Sequence, residues 1–307
     1  MSLSAVRPVA AESAAVAATR AQLEGLYRRM ALIRAVEETL LRLFAEGKLR
    51  GTVHTCLGQE AIAVGVVSAL DPARDTICSN HRGHGHYLAY CGDVEGLIAE
   101  IMGKPAGICG GIGGSQHLHR GNFYANGILG GMSPVATGIA LAERLKGSGA
   151  VSVVFHGDGA LGEGAIYESF NIAALWKLPV LWAIEQNRYA QSTPFEREHA
   201  GELARRAEPF GITILEVDGN DVLAVHDAAS RAVHAMRAGA GPHLLFCHTY
   251  RLGPHSKGDD LRDPAEIARH RRSEPLARLR ARLDGDWCEA AEREIAAEVA
   301  AVAARLG

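Results

Sequence analysis

Asp158 and Asn187 are the residues from which a chemistry can first be read. Asp158 stands in the turn Gly157-Asp158-Gly159 after an apolar run at 151–155, and Asn187 closes Glu185-Gln186-Asn187 after a second run at 180–184. Glycines permit a tight turn and close backbone approach, the start of a following helix favours an anion, and open α/β sheets bind ligands at strand ends. If the two runs are neighbouring parallel strands, Asn187 comes alongside Asp158. A carboxylate, an amide oxygen and a nearby backbone carbonyl then form an oxygen-only partial shell, which suits Mg2+ and leaves positions for phosphate oxygens. A lone Gly-Asp-Gly is weak, being a common turn. The two-part arrangement, with 26 residues (160–185) between Gly159 and Gln186-Asn187, is far more specific. The sequence predicts a Mg-diphosphate site divided between two adjacent strand ends.

These positions need elements to hold them. Apolar residues recur at helical spacing over 19–45 (Leu23, Leu26, Met30, Ile33, Leu40, Leu41, Phe44), and a second helix fits 59–70, closed by Asp71-Pro72. Beyond these, apolar runs at 151–155, 180–184, 212–217 and 243–248 alternate with helical stretches at 165–176 and 222–237. Strands alternating with helices predict an α/β fold with a parallel sheet and helices on both faces. Segment 103–114, in which six of twelve residues are glycine, and the polar segment 251–263 read as loops. From Pro264 the pattern is a helical extension over 264–307. With no internal repeat or interior linker, a single domain is expected over 1–307. Residues 1–18 are expected as a flexible tail, because Pro8, Glu12 and the lack of a Leu-rich core argue against a signal peptide.

The chain is 48% hydrophobic and 22% charged with a formal charge of −3, so charge gives no reason to expect nucleic acid or an anionic membrane as partner. Six scattered cysteines without a Cys-x-x-Cys pair argue against a disulfide framework and for a reducing compartment. No apolar run approaches the ~20 residues of a membrane span, and a cytoplasmic protein is expected.

From about residue 32 to residue 282 the chain resembles the E1α subunits of pyruvate, acetoin and branched-chain 2-oxo acid dehydrogenases. The resemblance rests on HTCLGQEAIAVG (54–65), HRGHGHYLA (81–89), GGSQHLH (113–119), NGILGG (126–131), the divided diphosphate motif, VDGND (217–221) and TYRLGPHSKGDD (249–260), all in family order. It implies the thiamine-diphosphate-binding fold, with thiamine diphosphate and Mg2+ as cofactors. Carried over by position, Asp158 and the Asn187 side chain would bind Mg2+, with the Tyr189 carbonyl as third protein ligand. Arg82 would contact the diphosphate with His81 beside it, and Gly157, Gly159 and Ala160 of the turn would also border the cofactor. Gly127 and Leu129 match backbone positions that hold the aminopyrimidine ring. Arg251 and His255 match the loop that closes over the diphosphate. His54, His84 and Ser256 fall in motifs near the channel, and His54, His84 and His255 are the catalytic candidates.

In this family the glutamate that activates the cofactor lies on a separate β subunit. The resemblance therefore implies an α2β2 assembly and an α chain inactive alone, transferring an acyl unit to a lipoyl group on an E2 partner. HRGHGHYLA is closest in character to the pyruvate and acetoin types, which favours a small donor. The chain departs from the family at Gln186 (for the first Asn), Gln116 (for a Met) and Pro254; the last two put the substrate, not the cofactor, in question. Gly162-Glu163-Gly164 resembles transketolases, so the alternative is a non-oxidative relative moving a two-carbon unit from a ketose phosphate to a carrier-protein thiol or other acceptor. His81, His84 and His86, with Arg82 among them, read as anion or substrate contacts ahead of a zinc site. His117 and His119 are further candidates by family position, and the arginine-rich run at 269–282 reads as a solvated or subunit-facing helix.

Overall fold

The structure, a computed structural model, describes residues 18–49, 51–256 and 260–307. All but Ala18 of the expected tail lies outside them.

Helix α1 (Arg20–Ala45) opens on a capping box: Thr19 accepts from the Gln22 amide, and the Gln22 side chain accepts from the Thr19 N–H at 2.8 Å. Leu23, Tyr27, Met30, Ile33, Leu40 and Leu43 are buried along one stripe, the 3.6-residue repeat visible in the sequence. After α2 (Glu60–Ser68) come β1 (Thr76–Ser79), α3 (His84–Cys91), α4 (Val94–Ile101), β2 (His119–Arg120), β3 (Phe123–Ala125) and α5 (Met132–Lys146). Next are β4 (Ser152–Gly157), α6 (Gly164–Leu175), β5 (Val180–Gln186), the hairpin β6 (Tyr189–Ala190) and β7 (Thr193–Pro194), β8 (Thr213–Asp218), α7 (Val222–Arg237) and β9 (His243–His248). The chain closes with α8 (Pro264–Arg271), α9 (Pro275–Arg280) and α10 (Gly285–Leu306).

The main sheet runs β2-β3-β1-β4-β5-β9-β8, parallel throughout except for the β2–β3 pair. Helices cover both faces, and the strands divide their side chains between two cores by simple alternation. Val153, Phe155, Leu181 and Ala183 face a core shared with α1, α2, α7 and α10, whereas Val154, Trp182 and Ile184 face α5 and α6. The sequence strands at 151–155, 180–184, 212–217 and 243–248 all lie within or across β4, β5, β8 and β9. The helix expected from residue 165 begins at Gly164, after a 3-10 turn (Asp158–Gly162) that the glycines accommodate.

Segment 103–114 is a loop, and its shape has one cause. The buried Glu100 carboxylate near the end of α4 accepts from four backbone amides: Cys109 at 2.7 Å, Gly111 at 2.8 Å, Gly113 at 2.7 Å and Gly114 at 3.1 Å. From Pro264 the chain is helical, and α10 lies along α1, burying Ile295, Val299 and Ala303 in the first core. All six cysteines are free thiols. Among the described residues no helix is long and apolar enough to cross a membrane.

Candidate active site

The C-terminal ends of β1, β4 and β5 open side by side into a cavity of about 530 Å3. Register makes this unavoidable: Gly157 pairs with Glu185, so the residues that follow, Asp158 and Asn187, emerge at neighbouring strand ends. Both line the cavity and both are buried.

The Asp158 carboxylate accepts from the Gly159 amide at 3.0 Å and the Arg188 amide at 2.9 Å. Burial nonetheless dominates and pushes its carboxyl up to about 6, from an ordinary 3.8. The second of these bonds requires the chain to turn sharply after β5, and Arg188 adopts φ 75°, a conformation a non-glycine residue takes only when its surroundings enforce it. The Asn187 amide nitrogen donates to Gln59 Oε1 at 3.2 Å, and Asn187 Oδ1 accepts from the Tyr189 amide at 3.3 Å. That fixes the orientation of the amide. Tyr189, in the following hairpin, also lines the cavity.

Across the cavity Asn80 Oδ1 accepts from the Arg82 amide at 2.8 Å, an Asx turn that sets the start of the segment carrying His81 and Arg82. The Arg82 guanidinium donates to the Thr55 carbonyl at 2.5 Å and lies 3.4 Å from His255 Nδ1. Burial lowers its pKa, but with an ordinary value of 12.5 it remains charged. Neither Arg82 nor Asp158 joins an ion pair among the described residues, whereas the buried carboxylates of Glu60 and Asp75 pair with Arg34 and Arg237. His81 is a neutral imidazole, because burial, and then the Arg82 charge, depress it to about 2. The His54 ring stands edge-on to both His81 and His255, at 5.0 and 4.8 Å between centroids.

Gly127 and Leu129 lie on the loop ahead of α5 and line the same cavity, as do Gly157, Gly159 and Ala160. A Cβ on Gly127 would sit 2.3 Å from Gln116 Oε1, so the glutamine occupies the space that the glycine leaves. Gln116 Nε2 in turn lies 3.3 Å from His54 Nδ1. Arg251 borders an adjoining cavity of about 290 Å3, shared with Tyr189 and His255. The Arg251 guanidinium donates to the Gln191 carbonyl at 2.6 Å.

Other expected residues are not brought to this cavity. His84 is fully buried, with both ring nitrogens engaged by Glu37 and Ser115. His86 stacks on Phe155 at 3.7 Å and bonds Ser79. His117 and His119 are exposed, and Ser256 is buried outside the lining. Among the lining residues that sequence did not single out are the polar side chains of Asn80, Glu185, Glu198 and His156. His156 Nε2 meets Ser133 Oγ at 2.8 Å, and Ser133 Oγ also accepts from the Trp182 indole at 3.0 Å. Burial drops His156 to about 4, so it too is neutral. A histidine ending an otherwise apolar strand, directly before Gly-Asp-Gly, was the available signal.

The sequence matches the family described as Dehydrogenase E1 component over residues 28–304. It is 45% identical over 238 residues to the α subunit of acetoin:2,6-dichlorophenolindophenol oxidoreductase from Bacillus subtilis, covering 76% of this chain and 71% of that protein. It is 43% identical over 249 residues to the pyruvate dehydrogenase E1 component α subunit of Zymomonas mobilis, covering 80% and 70%. The human testis-specific pyruvate dehydrogenase E1 α subunit shares 37% identity over 289 residues, covering 92% and 74%. With the divided carboxylate–amide site on a parallel sheet and a match over nearly the whole chain, the protein belongs to the dehydrogenase E1 component family, as an oxidoreductase α subunit of the pyruvate and acetoin type.

Proposed function

We propose that this chain is the half of a 2-oxo acid or acetoin dehydrogenase E1 that binds the diphosphate and Mg2+ of thiamine diphosphate. It would work as an α2β2 assembly and pass its acyl unit to the lipoyl group of an E2 partner. The observation that carries the reading is that one cavity holds two buried charged groups, the Asp158 carboxylate and the Arg82 guanidinium, neither of them in an ion pair among the described residues. Burying a charge without a direct ion-pair partner is costly, and a Mg-diphosphate would offset both.

The donor set fits the metal. Asp158, Asn187 Oδ1 and the Tyr189 carbonyl would supply three oxygen ligands, leaving Mg2+ to take its remaining positions from phosphate oxygens or water. Arg82, with Arg251 and His255 from the following loop, would hold the diphosphate against the Gly157–Asp158–Gly159–Ala160 turn. Gly127 and Leu129 would present backbone to the ring system. When bound, thiamine diphosphate supplies a nucleophilic carbon and an electron sink for attack on the donor's carbonyl. His54 and His255, in edge contact beside Arg82, would exchange hydrogen bonds with the donor, while neutral His81 adds no competing charge. At the cavity rim Ile128 is 70% and Leu129 45% exposed, an apolar pair that suits closure by a β chain. The packing of α10 on α1 supports reading the chain as one E1α-like domain.

A second reading, a ketose-phosphate donor with non-oxidative transfer to a carrier-protein thiol, draws support from the amide of Gln116 in the cavity lining. One experiment separates them. The co-expressed α/β complex is given pyruvate, acetoin, branched-chain 2-oxo acids or xylulose 5-phosphate with thiamine diphosphate, Mg2+ and ferricyanide. Ferricyanide reduction with pyruvate or acetoin is expected; turnover of the ketose phosphate alone would establish the second reading.

The raised carboxyl of Asp158 gives a pH dependence. Metal ligands must be deprotonated, so below about pH 6 a proton competes with Mg2+ for Asp158. Mg2+ affinity of the complex is expected to fall by up to about tenfold between pH ~7 and pH ~5. An affinity flat across that window in a calorimetric titration would remove Asp158 from the metal.

A further inference from the structure

His84 lies outside the cavity, yet its bonding network reaches the two loops that carry His54 and Gln116 into it. Its Nδ1 is 3.1 Å from Glu37 Oε2, and its Nε2 is 3.0 Å from Ser115 Oγ and 3.1 Å from the Ser115 carbonyl. The other Glu37 oxygen accepts from the Cys56 amide at 2.9 Å. Glu37, His84 and Ser115 are all buried. Nδ1 must donate to the carboxylate, and Nε2 either donates to the Ser115 carbonyl or accepts from its hydroxyl. In both states neither nitrogen is available to a substrate. Burial by itself would raise the Glu37 carboxyl; the His84 ring against it outweighs this and holds it below its ordinary value.

The network joins two loops at defined places. Cys56 stands two residues after His54, and Ser115 immediately precedes Gln116. His54 and Gln116 both line the cavity and meet each other there. Each loop is pinned a second time. A Cβ on Gly85 would come within 2.7 Å of Cys56 Sγ, so α3 packs directly on the first loop, and Glu100 holds the Gly113 and Gly114 amides of the second. We propose that Glu37 and His84 form a buried positioning pair that fixes His54 and Gln116 relative to one another, so that His84 serves the reaction without touching substrate or cofactor. A buried pair of this kind adds little to stability, but it can set geometry, and a displacement of about 1 Å at a reacting centre can cost about 100-fold in rate. The inference rests on the cavity being the reaction site proposed above.

The test is a double-mutant cycle in the α/β complex, reading kcat with pyruvate or acetoin and, separately, the Kd of thiamine diphosphate with Mg2+ by quenching of tryptophan fluorescence. His84→Gln is expected to lower kcat about 10- to 100-fold while the cofactor Kd moves less than about threefold, because Asp158, Asn187 and Arg82 are untouched. Gln116→Ala is expected to lower kcat as well, and the double variant to fall within about threefold of the weaker single one, as residues of one network are not additive. Ser115→Ala keeps the Glu37–His84 hydrogen bond and the backbone, and should show a smaller loss with the same non-additivity; it carries the test if His84→Gln does not assemble. Additive losses, or a cofactor Kd that rises in step with the loss of kcat, would overturn the inference alone. A wild-type complex that does not bind thiamine diphosphate would overturn the proposed site and this inference with it.

Discussion

Asp158→Ala is expected to abolish measurable Mg2+-dependent thiamine diphosphate binding in the α/β complex. Losing an outer partner of a metal ligand already costs about 10- to 100-fold in affinity, and Asp158 is the sole carboxylate proposed for the inner shell, so a loss well above 100-fold is expected. Unfolding would not be the cause. The folded carboxyl sits near 6 against an ordinary 3.8, so the cofactor-free fold binds this proton more tightly than the unfolded chain does. Its contribution is therefore greatest below about pH 4 and is lost as pH rises through about 6, leaving a penalty of about 3 kcal/mol at neutral pH. Alanine removes that penalty but leaves the Gly159 and Arg188 amides without their acceptor. The two effects oppose, and the cofactor-free variant should melt within a few degrees of wild type. Calorimetry with and without cofactor checks both halves; wild-type affinity in the variant would sink the assignment.

Arg82→Ala is expected to weaken cofactor binding on the order of 100-fold and to flatten its dependence on ionic strength. Two losses combine. One is the proposed charge-assisted contact to the diphosphate; the other is the brace from Thr55 to His255, which holds the segment carrying His54 near the one carrying His255. Arg82→Lys separates them. A lysine keeps a point charge but not the planar fork that reaches both partners, so its affinity should recover only in part while kcat stays low. Full recovery of both by lysine would show that charge alone matters at this position.

The site was legible where local sequence decides geometry. Asp158, Asn187 and Arg82 each follow a strand end within a few residues, so a correct reading of β4 and β5 as parallel neighbours already brings the first two together. The helices α1 and α7 were equally plain, since each buries one stripe and solvates the other. β1 was not: its four residues, Thr-Ile-Cys-Ser, are buried on both sides and show no alternation. α3 lay hidden inside a histidine motif for the same reason, because a helix packed nearly all round has no polar face to mark it.

Which histidine faces the cavity was likewise beyond the motif. His81, His84 and His86 fall within six positions of one another, but His81 meets the rings of His54 and His255, His84 meets Glu37, and His86 meets Glu185; Glu37 is 47 positions from His84, on α1. The order of residues along the chain determined the oxygen-bearing side chains of Asp158 and Asn187, the strand ends that carry them and the glycines that flank Asp158. Only the packing of distant elements decided that His84 is drawn inward by a carboxylate, that Gln116 fills the space over Gly127, and that Asp158 and Arg82 share a cavity without neutralising each other. Local backbone preferences act over a few residues, whereas burial and hydrogen-bond partnership are settled only when segments far apart in sequence exclude water together.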